Sequence, residues 1–249
     1  MMESTRQKSV GRLVGLWRYP VKSMGAEALE HVDVSWFGLA GDRRWAFVRE
    51  DAIRSGFPWL TIRERPDMHF YQPSFVDPLQ PDKSPTVVRT PSGKVMDICD
   101  PKLGSALYAD GVRVMKQNRG IFDTFPLSLI TTQTIVKLGE TVGTQLDVRR
   151  FRPNFLVEAN EGKSFPEDDW VGCVLRIGSV RLRVDKRDGR CAVITVDPLT
   201  AERNPEVLRA VAQQRQGCLG VYGTVVEPGV AALEDEVFIE SHPGNQKVG

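Results

Sequence analysis

The chain has 249 residues, 41% of them hydrophobic, and 33 Lys+Arg against 32 Asp+Glu leave a net charge of +1. That length suits one large domain or two smaller ones sharing an interface, and the balanced charge gives no global pull toward nucleic acid or an acidic membrane. No apolar run reaches the roughly 18 residues of a membrane span, and neither a Walker-type loop nor a Gly-x-Gly-x-x-Gly dinucleotide loop occurs, so a cytoplasmic protein without nucleic acid, membrane, ATP or NAD is expected.

Taken in chain order, residues 1–9 read as a polar tail with no apolar core for a secretory signal. Short strands are predicted over 13–19, 32–36 and 45–48. The segment 77–85 holds three prolines among polar residues and reads as a loop. Residues 87–98 repeat an apolar alternation around a bend at Pro91-Ser92-Gly93. Thr131 or Thr132 caps a predicted helix that carries Ile135, Val136 and Leu138 and ends near Gly139 or Gly143. Leu175, Ile177, Val180, Leu182 and Val184 alternate about Gly178-Ser179, the signature of a tight hairpin. Ala192-Val193-Ile194-Thr195-Val196 looks like another strand. Asn204-Pro205-Glu206 then opens a second helix with Val207, Leu208 and Val211 on one stripe and Gly217 as its stop. Residues 242–249 read as a second tail. Many short strands with Gly and Pro punctuation and only two convincing helices predict a mainly β fold of barrels or sandwiches, with units over 10–118 and 119–241 and a soft boundary at 117–122.

Cys191 is the most informative single residue. Lys186, Arg187 and Arg190 precede it within five positions, and such basic surroundings favour a thiolate, the nucleophilic and metal-binding form of cysteine. A buried structural cysteine is the alternative. The four cysteines, Cys99, Cys173, Cys191 and Cys218, lack the paired spacing of zinc sites and are expected to be reduced. With only His31, His69 and His242, a histidine-rich metal site is not expected.

Other residues suit anion binding. Lys22 and Ser23 follow a strand and project from a loop, where an ammonium and a hydroxyl can grip a phosphate; residue type alone favours a solvated surface cation for Lys22. Arg43 can clamp an oxyanion, or else pair with Asp42 or Glu50 or stack on Trp45. In Phe151-Arg152-Pro153-Asn154 the proline pushes Arg152 toward extended geometry, while Asn154 offers a donor and an acceptor; a structural turn is the alternative. Thr131 sits where a helix N-terminus favours anions, or acts as a cap alone.

Tyr19-Pro20-Val21-Lys22-Ser23, Gly41-Asp42-Arg43-Arg44-Trp45, Phe151-Arg152-Pro153-Asn154, Pro166-Glu167-Asp168-Asp169-Trp170 and Cys191-Ala-Val-Ile-Thr-Val-Asp-Pro occur in an order that resembles the MOSC-domain family. The resemblance spans nearly the whole chain. It implies a MOSC-type β-barrel preceded by a smaller N-terminal β-barrel domain, and a molybdenum cofactor of the molybdopterin type. It also implies that Lys22, Ser23, Arg43, Thr131, Arg152, Asn154 and Arg190 contact the cofactor, with Cys191 as metal ligand and catalytic residue. The implied activity is oxidoreduction of N-hydroxylated or related N–O or S–O compounds, as in amidoxime-reducing relatives. The alternatives are sulfur transfer through a Cys191 persulfide, or a non-catalytic cofactor carrier. A pyridoxal phosphate domain, present in sulfurase relatives, does not fit this length. The anchor of mitochondrial relatives and the ferredoxin-like extension of some bacterial ones are not expected, so electrons would arrive from a separate flavin, iron–sulfur or haem protein. One departure stands out: Arg187-Asp188-Gly189 leads into Arg190-Cys191 where relatives often carry Ala-Cys-x or a Pro-rich approach, and Asp188 offsets the positive field.

Overall fold

The computed structural model describes residues 8–241. The expected tails therefore lie outside the described residues, apart from Lys8 and Ser9. Those two open the strand Lys8–Arg18 instead of a tail, because their backbone pairs with Ile239 and Phe238.

Seven strands close a barrel. Phe155–Ala159, Leu127–Thr131, Cys218–Glu227, Val180–Gly189, Val174–Ile177, Glu236–Ser241 and Lys8–Arg18 follow one another, and the last pairs back onto the first. Leu127–Thr131 and Phe155–Ala159 run parallel. A parallel pair needs a crossover where an antiparallel one needs only a turn, and the helix Thr132–Val142 lies within that connection. Leu127–Thr131 is buried along its whole length, as a strand covered on both faces is. Leu13, Phe155, Leu175, Leu182, Val184 and Val221 belong to the core that this barrel encloses.

The predicted hairpins stand where alternation put them, with Ile177 opposite Val180 and Val88 opposite Met96. Thr131 caps Thr132–Val142, and Gly143 ends it in the left-handed region at φ 69°, a conformation glycine adopts without cost. Asn204 caps Pro205–Arg215 by accepting from the Glu206 N–H at 3.0 Å, although the helix stops on Gln216, one residue before Gly217. A third helix, Pro101–Leu107, escaped the sequence reading. Its signal is Asp100-Pro101, in which Asp100 accepts from the Lys102 N–H at 2.9 Å, but seven residues around Gly104 carry too little periodicity to announce it.

The strand expected over 192–196 is instead a 3₁₀ turn, Ala192–Thr195. Its apolar residues serve two cores on opposite sides: Val193 and Val196 pack into the N-terminal cluster around Phe47 and Met68, while Ile194 joins the cluster beneath the two long helices. The Thr195 hydroxyl donates to the Ala192 carbonyl at 2.7 Å and closes the turn. A nearly continuous run of β-branched and apolar residues produced the strand signal, and tertiary packing overrode it.

The N-terminal half adds two small sheets, Trp45–Arg49 with Val112–Lys116, and Gln72–Phe75 with Thr86–Arg89 and Val95–Asp97. A further sheet pairs His31–Ser35 with Gly38–Leu39 on one side and with Gly229–Ala232 on the other. Hydrogen bonding thus links residues before 118 to residues after it through both Lys8–Arg18 and His31–Ser35.

His69 is buried, its Nε2 has no hydrogen-bond partner, and burial followed by the charges of Arg152 and Arg150 holds its pKa down at about 3. An unfolded imidazole titrates near 6.5, so below that pH the unfolded chain binds the extra proton and stability falls as pH drops toward 3. From pH 7 to pH 5 this residue should cost about 2 kcal/mol at most. Urea unfolding across that range should show a shallower acid slope for His69→Leu than for the wild type.

Candidate functional site

A cleft of about 470 Å³ opens where the two halves meet. Seven of the eight residues singled out from sequence line it: Lys22, Ser23, Arg43, Arg152, Asn154, Arg190 and Cys191. Local pairing explains how distant segments converge. The Lys22 N–H donates to the Trp45 carbonyl at 2.8 Å and the Arg43 N–H to the Tyr19 carbonyl at 2.7 Å, which laces 19–23 to 41–45. On the other side, the Asn154 N–H donates to the Ser128 carbonyl at 2.9 Å.

Three lining residues hold backbone conformations that side chains rarely adopt: Ser23 at φ 68°, Arg43 at φ 49° and Arg152 at φ 53°. Such strain persists only where surrounding contacts over-determine it, and it concentrates at functional sites. For Arg152 this replaces the extended geometry expected ahead of Pro153. The residue caps the 3₁₀ turn Val148–Phe151 with its N–H on the Arg149 carbonyl at 3.1 Å, which favours the left-handed state over the extended one.

The polar groups are differently engaged. Asp42 is fully buried; it accepts from the Tyr19 N–H at 2.7 Å, from the Asn154 amide at 3.2 Å, and from the Arg43 guanidinium. Arg43 therefore has the carboxylate partner that its sequence offered as one alternative, and it also donates to the Arg152 carbonyl at 3.1 Å. Asn154 has its amide committed to protein, with Ser128 N–H donating to it and Trp17 and Asp42 accepting from it. Lys22 is buried, not solvated; its ammonium meets Asp123 at 2.5 Å, and burial lowers its pKa against that partner. The Arg152 guanidinium stacks 4.2 Å from the Tyr19 ring centroid and donates to the Met24 carbonyl at 2.7 Å. Its Nη2 is buried without any partner, and burial lowers its pKa to about 10.

Two expectations need correction. Thr131 does not line the cleft: its hydroxyl caps the helix Thr132–Val142 and donates to the buried Glu167 at 2.7 Å, facing away from the site. The basic residues next to Cys191 in sequence do not surround its sulfur. Arg187 binds the Arg215 carbonyl at 2.8 Å, and Lys186 sits 5.3 Å over the Phe125 ring. Arg190 is bound to the Leu219 and Phe151 carbonyls at 2.8 Å and to Asp188 at 2.9 Å, so it braces the loop. Its guanidinium lies 3.2 Å from where a Cβ at Gly220 would stand, and Gly220 has φ +73°, so a side chain there is excluded on both counts.

The cation at the sulfur comes from elsewhere. Arg63 Nη2 lies 3.4 Å from Cys191 Sγ, and its guanidinium stacks 4.9 Å from the Phe57 ring centroid. No motif in the sequence flags Arg63, since 128 positions separate it from Cys191. Tyr19 has no anion-binding group of its own to flag it, yet both Arg43 and Arg152 stack on it. Asp188 lines the cleft in a buried position, and burial raises its pKa to about 6 despite Arg190. Among the described residues, no group of three or more His, Cys, Asp or Glu is arranged to hold a metal ion. A metal at Cys191 would have to bring its remaining ligands with it.

Residues 116–238 match the MOSC domain and residues 10–99 the MOSC N-terminal beta barrel domain. The chain belongs to the MOSC-domain family. A molybdenum cofactor sulfurase from Danio rerio is 26% identical over 269 residues, covering 84% of this chain and 31% of that protein. Mitochondrial amidoxime reducing component 2 from Homo sapiens is 24% identical over 241 residues, covering 78% of this chain and 69% of that protein. The chain thus spans about a third of the sulfurase's length. The YUAD protein from Bacillus subtilis shares the fold, with a TM-score of 0.51 over 95% of this chain and 99% of that one at 14% identity. No helix among the described residues is long and apolar enough to cross a membrane.

Removing the Asp42 charge should test the interface. Asp42→Asn leaves the buried Arg43 guanidinium without its partner, and breaking a buried pair costs about 3 kcal/mol or more. The midpoint of urea denaturation should fall accordingly, whereas Asp51→Asn, at the surface, should leave it in place.

Proposed function

We propose that this protein is a molybdenum-cofactor oxidoreductase that removes oxygen from N-hydroxylated or related N–O or S–O compounds, with electrons delivered by a separate flavin, iron–sulfur or haem protein. The observation that carries this reading is the meeting of Arg152 and the Cys191 sulfur in one cleft built by both halves of a MOSC fold. The residues present fit such a cofactor: the buried Arg152 Nη2 lacks a partner, as a donor awaiting an anion would.

Arg152, Lys22 and Ser23 are the groups to hold its phosphate, since cationic donors to phosphate are the strong ones. Arg43 supports them by fixing the Arg152 backbone. Cys191 is the residue to ligate the metal, a soft sulfur donor suited to it. When bound, the cofactor would supply the two-electron redox chemistry that oxygen removal requires. Removing that oxygen from an N-hydroxyl compound consumes two electrons and two protons and yields the amine and water. Asp188, buried beside Arg190 and Tyr222, can hold one of those protons on the acid side of about pH 6.

Protein made in a cofactor-competent host should carry about one molybdenum per chain, and Arg152→Gln should retain roughly tenfold less, the loss expected of a charge-assisted phosphate contact. Cys191→Ser, folded and loaded, should fail to reduce benzamidoxime with a chemical electron donor. Turnover of that variant at the wild-type rate would refute the metal-ligand role. Metal-free wild type bearing a labile persulfide on Cys191 would replace this reading with sulfur transfer.

A further inference from the structure

Six cations line the cleft: Lys22, Arg43, Arg63, Arg150, Arg152 and Arg190. Four of them have their own carboxylate: Lys22 has Asp123 at 2.5 Å, Arg43 has Asp42, Arg150 has Asp197 at 2.6 Å, and Arg190 has Asp188 at 2.9 Å. Among the described residues, no ion pair neutralises the other two. Arg152 is the buried one, and the proposed cofactor answers its charge. Arg63 is the exposed one, at the rim beside the reactive sulfur.

Arg63 is held in place by the fold. Its N–H donates to the Thr61 hydroxyl at 3.2 Å, and its carbonyl accepts from Arg203 at 2.8 Å. The Phe57 ring supports the guanidinium plane. The neighbouring Glu64 is turned to Thr61, whose N–H and hydroxyl donate to it at 3.0 and 2.7 Å, so Glu64 acts on Arg63 across space and not as an ion-pair partner. Asp123 acts on Arg63 only across space and is bound to Lys22. The guanidinium therefore keeps most of its fork of donors open, and sulfur, a weak acceptor, takes one of them. A fixed, planar fork without an ion-pair partner is the group that recognises carboxylates in a two-pronged fashion.

We propose that Arg63 is an anion-recognising residue beside Cys191, and that the substrates of this cleft carry a carboxylate or comparable oxyanion close to the bond that reacts at the sulfur-bound centre. The substrate class rests on the reductase reading; the anion subsite does not, and its test needs no cofactor. Cofactor-free full-length protein is alkylated at Cys191 with iodoacetate and, separately, with iodoacetamide, and the modified peptide is followed by mass spectrometry. The two reagents differ chiefly in charge, so the ratio of their rate constants cancels the amount of thiolate present and reports the local attraction for an anion.

The ratio at Cys191 should exceed that of N-acetylcysteinamide in the same buffer. Arg63→Gln should lower it about fivefold, the factor for one moderately exposed charge pair. Arg63→Lys should keep most of it, and Arg187→Gln, whose guanidinium is engaged with Arg215, should not change it. A ratio unaffected by Arg63→Gln, or no higher than that of the free thiol, would overturn the proposal. In the loaded enzyme, Arg63→Gln should keep its molybdenum and raise KM for 4-carboxybenzamidoxime more than for benzamidoxime. Loss of molybdenum from that variant would assign Arg63 to the cofactor and overturn the substrate role. If wild-type protein never binds molybdenum while the alkylation ratio responds as expected, the reductase reading fails and the anion subsite stands.

Discussion

The fully buried carboxylate of Asp42 accepts from the backbone of Tyr19, the guanidinium of Arg43 and the amide of Asn154. A charge taken out of water costs several kcal/mol unless its lone pairs are met with good geometry, and here those partners come from three separated stretches of chain. Asn154 in turn ties Trp17 and Ser128, which belong to two barrel strands. The cleft walls are thus held by a network that is stable only when complete. Arg43 and Arg152 share the Tyr19 ring, an arrangement in which the face of one aromatic ring offsets part of the repulsion between two cations.

Around that network the charge is distributed unevenly. Most cations at the cleft already have a carboxylate, which lets six of them stand near one another without prohibitive repulsion. What remains is a buried guanidinium at Arg152 and an exposed one at Arg63, with the Cys191 sulfur beside the latter. The left-handed backbones of Ser23, Arg43 and Arg152 show that the fold tolerates local strain to aim these groups.

Much of the architecture was legible along the chain because hairpins and helix caps are local. Gly178-Ser179 sets a hairpin and Asn204-Pro205 starts a helix wherever they occur, since the turn and the cap are decided by residues a few positions apart. The turn at Ala192–Thr195 was misread because its apolar residues answer to two cores that a one-dimensional pattern cannot separate. Barrel closure was equally hidden, for it joins Lys8–Arg18 to Phe155–Ala159 across most of the chain.

The candidate site divides along the same line. The sequence by itself determined the family and named Lys22, Ser23, Arg43, Arg152 and Cys191, because each lies in a short motif whose residue types suit anion or metal chemistry. It could not show that Arg190 braces a loop, that Thr131 caps a helix away from the cleft, or that the cation on the sulfur is Arg63. Those roles depend on which side chains meet across long separations, and only the closed barrel packed against the N-terminal half brings residues 63 and 191 within hydrogen-bonding distance.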